Sequence, residues 1–176
     1  MSTTWKIDQS HSDVNFKVKH LMISTVTGKF ESYDGTVEQP NPDSFDGSNI
    51  SFTADVKSIS TGVADRDNHL RSNDFFNAEE FPTMKFEASS FEKTSDDEYV
   101  LNGNLTIRDN TKPVSLRATF NGITSDMWGG TRAGFEITGT IKRKEFGLLW
   151  NATTELGGVV VSDDVKLALD IQLVKQ

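Results

Sequence analysis

Apolar and polar residues alternate with a period of two along nearly the whole of this 176-residue chain, the spacing of strands that bury one face and wet the other. Val14, Phe16 and Val18 alternate with Asp13, Asn15, Lys17 and Lys19 across residues 12–20. The same rhythm returns at 26–37, 50–57, 84–89, 99–107, 114–120, 133–141 and 165–173. Asp109-Asn110 and Asn121-Gly122 are turn pairs that close two of these segments. Eight amphipathic strands with short connections form a sandwich or a barrel. Closure removes every exposed sheet edge, and the segments offer one continuous apolar face. The expected fold is therefore all-β, an eight-stranded antiparallel barrel in a single domain spanning 1–176. Such a barrel is about the smallest that holds a ligand as well as its own side chains.

Two stretches break the alternation. Residues 58–81 read as a short helix over 63–72 followed by an aromatic turn, with Asp65 and Asp67 suited to the first helical turn and Arg71 to the last. Residues 144–164 read as a long connection that carries Phe146, Leu148, Leu149, Trp150 and Gly157-Gly158. Connections of that length are disordered or act as lids, and the apolar content argues for lids. Both stretches are expected to cap the barrel.

Composition excludes several function classes. The net charge of −8, without a basic stripe interleaved with aromatics, argues against nucleic acid as a partner. It also disfavours an anionic membrane surface, leaving only a short basic patch to meet a lipid head group. The longest aliphatic run, Val159–Val161, is far too short to span a bilayer, so stable membrane insertion is not expected. The first residues have no apolar leader core, so the chain as written is expected in the cytoplasm. There is no Cys. No nucleophile elbow or phosphate loop is present, and His11, His20 and His69 lie on separate segments without metal-ligand spacing. Asp65-x-Asp67-x-His69 lacks the glycine and the distal glutamate of a calcium loop. No catalytic residue, metal or cofactor is expected.

Twelve Phe against two Tyr means many large rings without a polar handle, which want a dry place. Phe16, Phe30, Phe52, Phe86, Phe120 and Phe135 all face inward by the alternation. Two readings stand: the rings fill the barrel, or they line a tunnel. Gly28, Gly103 and Gly139 on the inward face, and the apolar caps with Phe75, Phe76, Phe81, Phe146, Leu149 and Trp150, favour the tunnel. On that reading, Leu in place of Gly103 or Gly139 blocks the tunnel and leaves the barrel folded. Arg66, His69 and Arg71 form one cationic cluster and Lys142, Arg143 and Lys144 another. Each either pairs with neighbouring carboxylates or meets a phosphate head at the barrel mouth.

Several segments resemble the YceI-like family. They are Trp5-Lys-Ile-Asp8 with His11-Ser12, Val18-Lys-His-Leu-Met-Ile-Ser-Thr25, Gly28-Lys-Phe30, and Arg66-Asp-Asn-His-Leu-Arg-Ser-Asn-Asp-Phe-Phe76 with Phe81-Pro82. Further matches are Gly103–Ile107, Thr111–Val114, Arg132–Phe135, Phe146–Asn151 and Gly157-Gly158, in the family's order along the chain. The resemblance implies an extended lipocalin-like barrel whose apolar tunnel takes a polyisoprenoid chain, with no enzymatic activity firmly attached to it; it leaves a homodimer open. The expected function is to bind and sequester or carry a long amphiphilic lipid, a quinone precursor or prenyl phosphate. Phe16, Val18, Phe30, Phe52, Phe75, Phe86 and Phe135 are the expected lining, with Phe146 and Trp150 closing one end. His20, Arg66, His69 and Arg71 are the expected head-group contacts. A stress-related structural protein with a filled core is the second reading. An enzyme with His20 or His69 as its acid–base group is the third.

Overall fold

The computed structural model describes residues 2–151 and 160–176. The described strands are β1 (Thr3–Ile7), β2 (Asp13–His20), β3 (Ser24–Phe30), β4 (Tyr33–Gln39), β5 (Asn49–Asp55) and β6 (Ile59–Ser60). Helix α1 (Ala64–Arg71) comes next, followed by β7 (Thr83–Lys93), β8 (Glu98–Ile107), β9 (Asn110–Ser125), β10 (Thr131–Lys142) and β11 (Val161–Lys175). Strands β1-β4-β5-β7-β8-β9-β10-β11 pair in that order. β11 then returns to β1 through Trp5↔Lys175 and Ile7↔Leu173, so the ring is a closed eight-stranded antiparallel barrel.

The remaining strands lengthen the barrel. β1 and β2 are one strand bent at a 3-10 turn, Gln9–His11, and both lie along β11. β3 and β4 are one strand bent at Glu31-Ser32, and β5 reaches β6 through a second 3-10 turn, Val56–Ser58. The bends fall side by side, because Phe30 pairs with Val14 on one flank and Ile59 on the other. Each bend shifts the alternation. Phe30 is buried in β3, whereas Tyr33, Gly35, Val37 and Gln39 are buried in β4. Beyond the bends β6 pairs with β3 alone, and α1 with the segment 72–82 fills the gap before β7.

Alternation locates most of this ring and misses β1 and β6, which are too short to show a period. Asn121-Gly122 does not end its strand. Gly122 takes φ 116°, the register slips opposite it at Gly134/Phe135, and β9 runs on. The reversal comes at 126–130, where Asp126 Oδ1 accepts from the backbone N–H of Trp128 at 2.9 Å and of Gly130 at 2.7 Å. β11 starts at Val161, earlier than the alternation indicates, because the register is irregular between Val161 and Val165.

One end of the barrel is packed solid. Phe45, from the β4–β5 connection, is 2% exposed; its ring lies 5.3 Å from Trp5, 5.5 Å from Phe120 and 5.1 Å from Phe135. Trp5 donates its indole N–H to Gln39 Oε1 at 2.9 Å, which satisfies the polar tip in this dry end. Outside the plug, Arg132 bridges Asp8 at 2.6 Å and Asp126 at 3.0 Å. Hydrogen bonds from Ser10 and Arg132 hold the Asp8 carboxyl well below the usual carboxylate range.

Candidate functional site

Above the plug the interior opens into a cavity of about 550 Å³, a volume typical of small-molecule sites. Phe16 and Val18 on β2, Phe30 on β3, Phe52 on β5 and Phe86 on β7 wall one side. Leu101 and Leu105 on β8, Leu116 on β9, Phe135 on β10 and Leu167 on β11 wall the other. Most polar groups on the wall gather at the open end: Lys19, His20, Thr61, Asp65, Arg66, His69 and Arg143. Among the described residues only Asn15, Thr36 and Ser51 add polar side chains elsewhere on the wall, so the chamber offers few internal partners to a polar group.

The filled-core alternative accounts for the plugged end only. The chamber does not arise from the inward glycines: of the roles such a glycine can take, relief of crowding, a sharp bend or spare space, these three take the first. A Cβ at Gly28 would stand 2.3 Å from Phe16 Cζ, and one at Gly139 would stand 2.3 Å from Leu116 Cδ2. At Gly103 it would meet both Phe86 Cζ and the Glu87 carbonyl oxygen at 2.5 Å. Each glycine lies beneath a neighbouring apolar side chain, so Leu at Gly103 or Gly139 displaces structure before it reaches the chamber.

The arginines around the mouth serve the backbone. Arg66 donates to the Thr61 carbonyl at 2.7 Å, and Arg71 to the carbonyls of Lys57 at 3.0 Å and Ile59 at 2.9 Å. Arg108 donates to those of Phe75 at 2.9 Å and Asn73 at 3.1 Å. Arg143, 2% exposed, donates to the carbonyls of Ser162 at 2.8 Å and Trp150 at 2.9 Å and ties residues 148–150 to the start of β11. Burial pushes the Arg143 guanidinium below its ordinary value; the group stays charged because that value is so high. These carbonyls lie where the sheet is interrupted, and a fork of fixed N–H groups satisfies them in place of a missing strand.

Of the residues expected to line or close the tunnel or to contact the head group, Phe16, Val18, His20, Phe30, Phe52 and Phe86 reach the chamber wall. So do Arg66, His69, Phe75, Phe135 and Trp150. Two do not. Arg71 lies on the outer side of α1, its guanidinium spent on β6 and its approach. Phe146 is fully buried behind the wall, where Leu148 takes the lining position instead. His69 Nε2 lies 2.8 Å from Asp74 Oδ2, and its ring meets Trp150 edge-on at 4.8 Å and Phe75 at 5.1 Å, so the motif residues join helix, turn and loop. Lys142 pairs with Asp164 and Lys144 with Asp163, ordinary surface ion pairs. Gly157-Gly158 falls outside the described residues. Leu70, Phe76 and Leu148 also line the chamber. Their signal was their position inside the two capping stretches. Among the described residues no three His, Asp or Glu side chains come together as a metal-binding group, and no helix is long and apolar enough to cross a membrane.

A closed antiparallel barrel, plugged at one end and hollow at the other, belongs to the class of small barrels whose interior has room for a ligand. The chain belongs to the YceI-like domain family, which it matches over residues 5–173. Protein YceI of Salmonella newport (strain SL254) is 39% identical over 180 residues, covering 100% of this chain and 89% of that protein. The YCEI protein of Campylobacter jejuni superposes with a TM-score of 0.76 at 34% identity, covering 94% of each chain. BcnA of Burkholderia cenocepacia superposes with a TM-score of 0.81 at 21% identity, over 94% of this chain and 98% of that one. A polyisoprenoid binding domain from Saccharophagus degradans, implicated in plant cell wall breakdown, gives 0.70 at 14% identity, over 96% and 97% of the two chains. At these identities the last two show a shared fold alone.

Proposed function

We propose that this barrel binds and carries a long-chain amphiphile, a polyisoprenoid above all, with the chain in the chamber and the head group at the mouth. The observation that supports it is the chamber itself: about 550 Å³ walled by apolar side chains, closed by the Phe45 plug and opening past polar groups. Each chain carbon buried there gains about 0.8 kcal/mol gross, enough over a long chain to exceed the cost of ordering it. His20, Arg66 and His69 border the mouth and are the proposed head-group contacts. The shared fold with a polyisoprenoid binding domain supports the ligand class. In this reading the protein is a carrier and performs no chemical step on its cargo.

Native mass spectrometry of protein purified from its own host, followed by solvent extraction, tests this directly. A stoichiometric adduct whose extract shows a prenyl mass ladder establishes the carrier and names the head group. A bare protein mass that persists after incubation with prenyl quinones and prenyl phosphates overturns it.

A further inference from the structure

The exposed large apolar side chains fall at the two ends of the barrel. At the open end Leu21, Met22 and Ile23 form the tip of the β2–β3 hairpin, Met22 60% and Ile23 84% exposed. Leu149, between the wall residues Leu148 and Trp150, is exposed as well. The hairpin tip is unfavourable twice over. Leu21 and Met22 take left-handed backbone, φ 53° and 59°, at a turn where Asn-Gly would sit without strain. Three consecutive large apolar side chains also face water there.

The outer face below the tip keeps lysines unpaired among the described residues in a chain of net charge −8, because its two carboxylates, Asp163 and Asp164 on β11, are taken by Lys144 and Lys142. Lys17 on β2 pairs directly across from Lys166 on β11, and Lys19, which also borders the chamber mouth, stands two residues closer to the tip. None of the three has an ion pair among the described residues, whereas Lys29, Lys142 and Lys144 each have one. Like charges set opposite one another weaken a ladder, so this patch calls for its counter-charge from outside. At about 3.3 Å per residue, Lys19 lies roughly 10 Å behind Met22, and Lys17 and Lys166 about two residues further back.

We propose that the open end docks reversibly on an anionic lipid bilayer, Leu21, Met22 and Ile23 entering the head-group boundary and Lys17, Lys19 and Lys166 facing the anionic head groups. Entry to the usual ~5–10 Å brings Lys19 level with the head groups and the other two lysines within about a Debye length of them. The chamber mouth then faces the membrane, so cargo passes without crossing water. That purpose rests on the carrier reading; the docking itself does not. The other exposed tip, Met127-Trp128, stands at the plugged end beside Asp126, with no chamber behind it.

Vesicle co-sedimentation of the full chain tests the docking, with phosphatidylcholine alone and with phosphatidylcholine containing phosphatidylglycerol. The expected result is partitioning onto the anionic vesicles that salt reverses. It falls about fivefold for each of Lys17→Gln, Lys19→Gln and Lys166→Gln, the contribution of one surface lysine. Leu21→Asn with Met22→Gly, which favours the hairpin turn, abolishes it, and Trp128→Ser leaves it unchanged. Absence of binding, or equal binding by wild type and the tip variant, overturns the proposal. So does a wild-type dimer in sedimentation velocity that the tip variant dissolves without any vesicle binding, since the tip then meets a second copy. A bare mass in the extraction experiment beside intact vesicle binding would fail the carrier reading and leave the docking standing.

Discussion

The chamber can be filled from Leu167 and not from the inward glycines. Leu167 lies on the chamber wall in β11, half-buried, between Phe16 across β2 and Gly139 across β10. Leu167→Trp adds about six heavy atoms that point into free space, and each ligand carbon kept out forfeits ~0.8 kcal/mol. Displacing about six carbons removes roughly 5 kcal/mol gross. A flexible chain that shifts toward the mouth recovers about half, so the expected net loss is roughly 2–3 kcal/mol, about a 30- to 150-fold weaker Kd. The ring enters a void, so Tm should stay within about 2 °C of wild type, where 1 kcal/mol moves a domain of this size by roughly 2–4 °C. Gly103→Leu should do the reverse. Its Cβ meets the Glu87 carbonyl oxygen at 2.5 Å, and a backbone atom cannot swing aside as a ring can. Overpacking of that kind costs about 1–3 kcal/mol and lowers Tm by roughly 2–12 °C. The assay pairs titration of a fluorescent prenyl analogue with thermal melts followed by circular dichroism. Undiminished binding by a natively melting Leu167→Trp would refute the placement of the ligand along β11. A Gly103→Leu protein that melts like wild type would refute the close packing at that glycine.

Other perturbations follow from particular contacts. Asp8 has a folded pKa depressed below its unfolded value near ~3.9, so its stabilisation is complete above that value and is lost as pH falls through the folded one. Asp8→Asn should cost about 1.5–3 kcal/mol in urea melts at neutral pH, a gap that narrows steadily below about pH 4; a gap independent of pH would show that Asp8 acts by packing. Arg143→Met should cost about 3 kcal/mol and speed amide exchange at 147–151, because the carbonyls of Trp150 and Ser162 lose their charged donor; unchanged exchange there would remove its bracing role. Leu21→Asn with Met22→Gly should raise Tm by about 3–6 °C by relieving left-handed strain, and a lower Tm would mean the tip packs on the barrel.

The barrel was legible because its inner and outer faces differ at every second residue, and a period survives whatever the neighbours do. The bends were not. At Glu31-Ser32 an extra residue shifts the phase inside what reads as one segment, 26–37, and β1 is too short to show any phase. Phe45 was invisible for another reason. It sits in a connection rich in Pro and Asp that looks like a solvated loop, and only closure of the ring brings its side chain onto Trp5 and Phe135. The lining phenylalanines were readable as inward residues, since inward is a local property. Whether an inward ring plugs or lines depends on its height along the axis, which the sequence does not carry. The backbone partners of the arginines are hidden from the sequence by the same gap. Charge near carboxylates suggests ion pairs or a phosphate, whereas the partners of Arg71 and Arg143 are carbonyls brought close by the fold.

The bends and the arginines belong together. An eight-stranded barrel has only just room for its own side chains or one small ligand, and a wider chamber needs the wall to open without leaving backbone groups unpaired. Here three strands bend at one level, β6 stops after two residues, and the sheet between β6 and β7 is replaced by α1 and the turn behind it. The carbonyls left over are those of Lys57, Ile59, Thr61, Asn73 and Phe75, and Arg71, Arg66 and Arg108 satisfy them. A strand in that gap would have closed the wall and narrowed the interior. Guanidinium groups supply the donors and leave the space. The chamber and the Arg66–Phe76 motif are therefore one feature, and the conserving of backbone hydrogen bonds by side chains is what makes a hollow barrel stable.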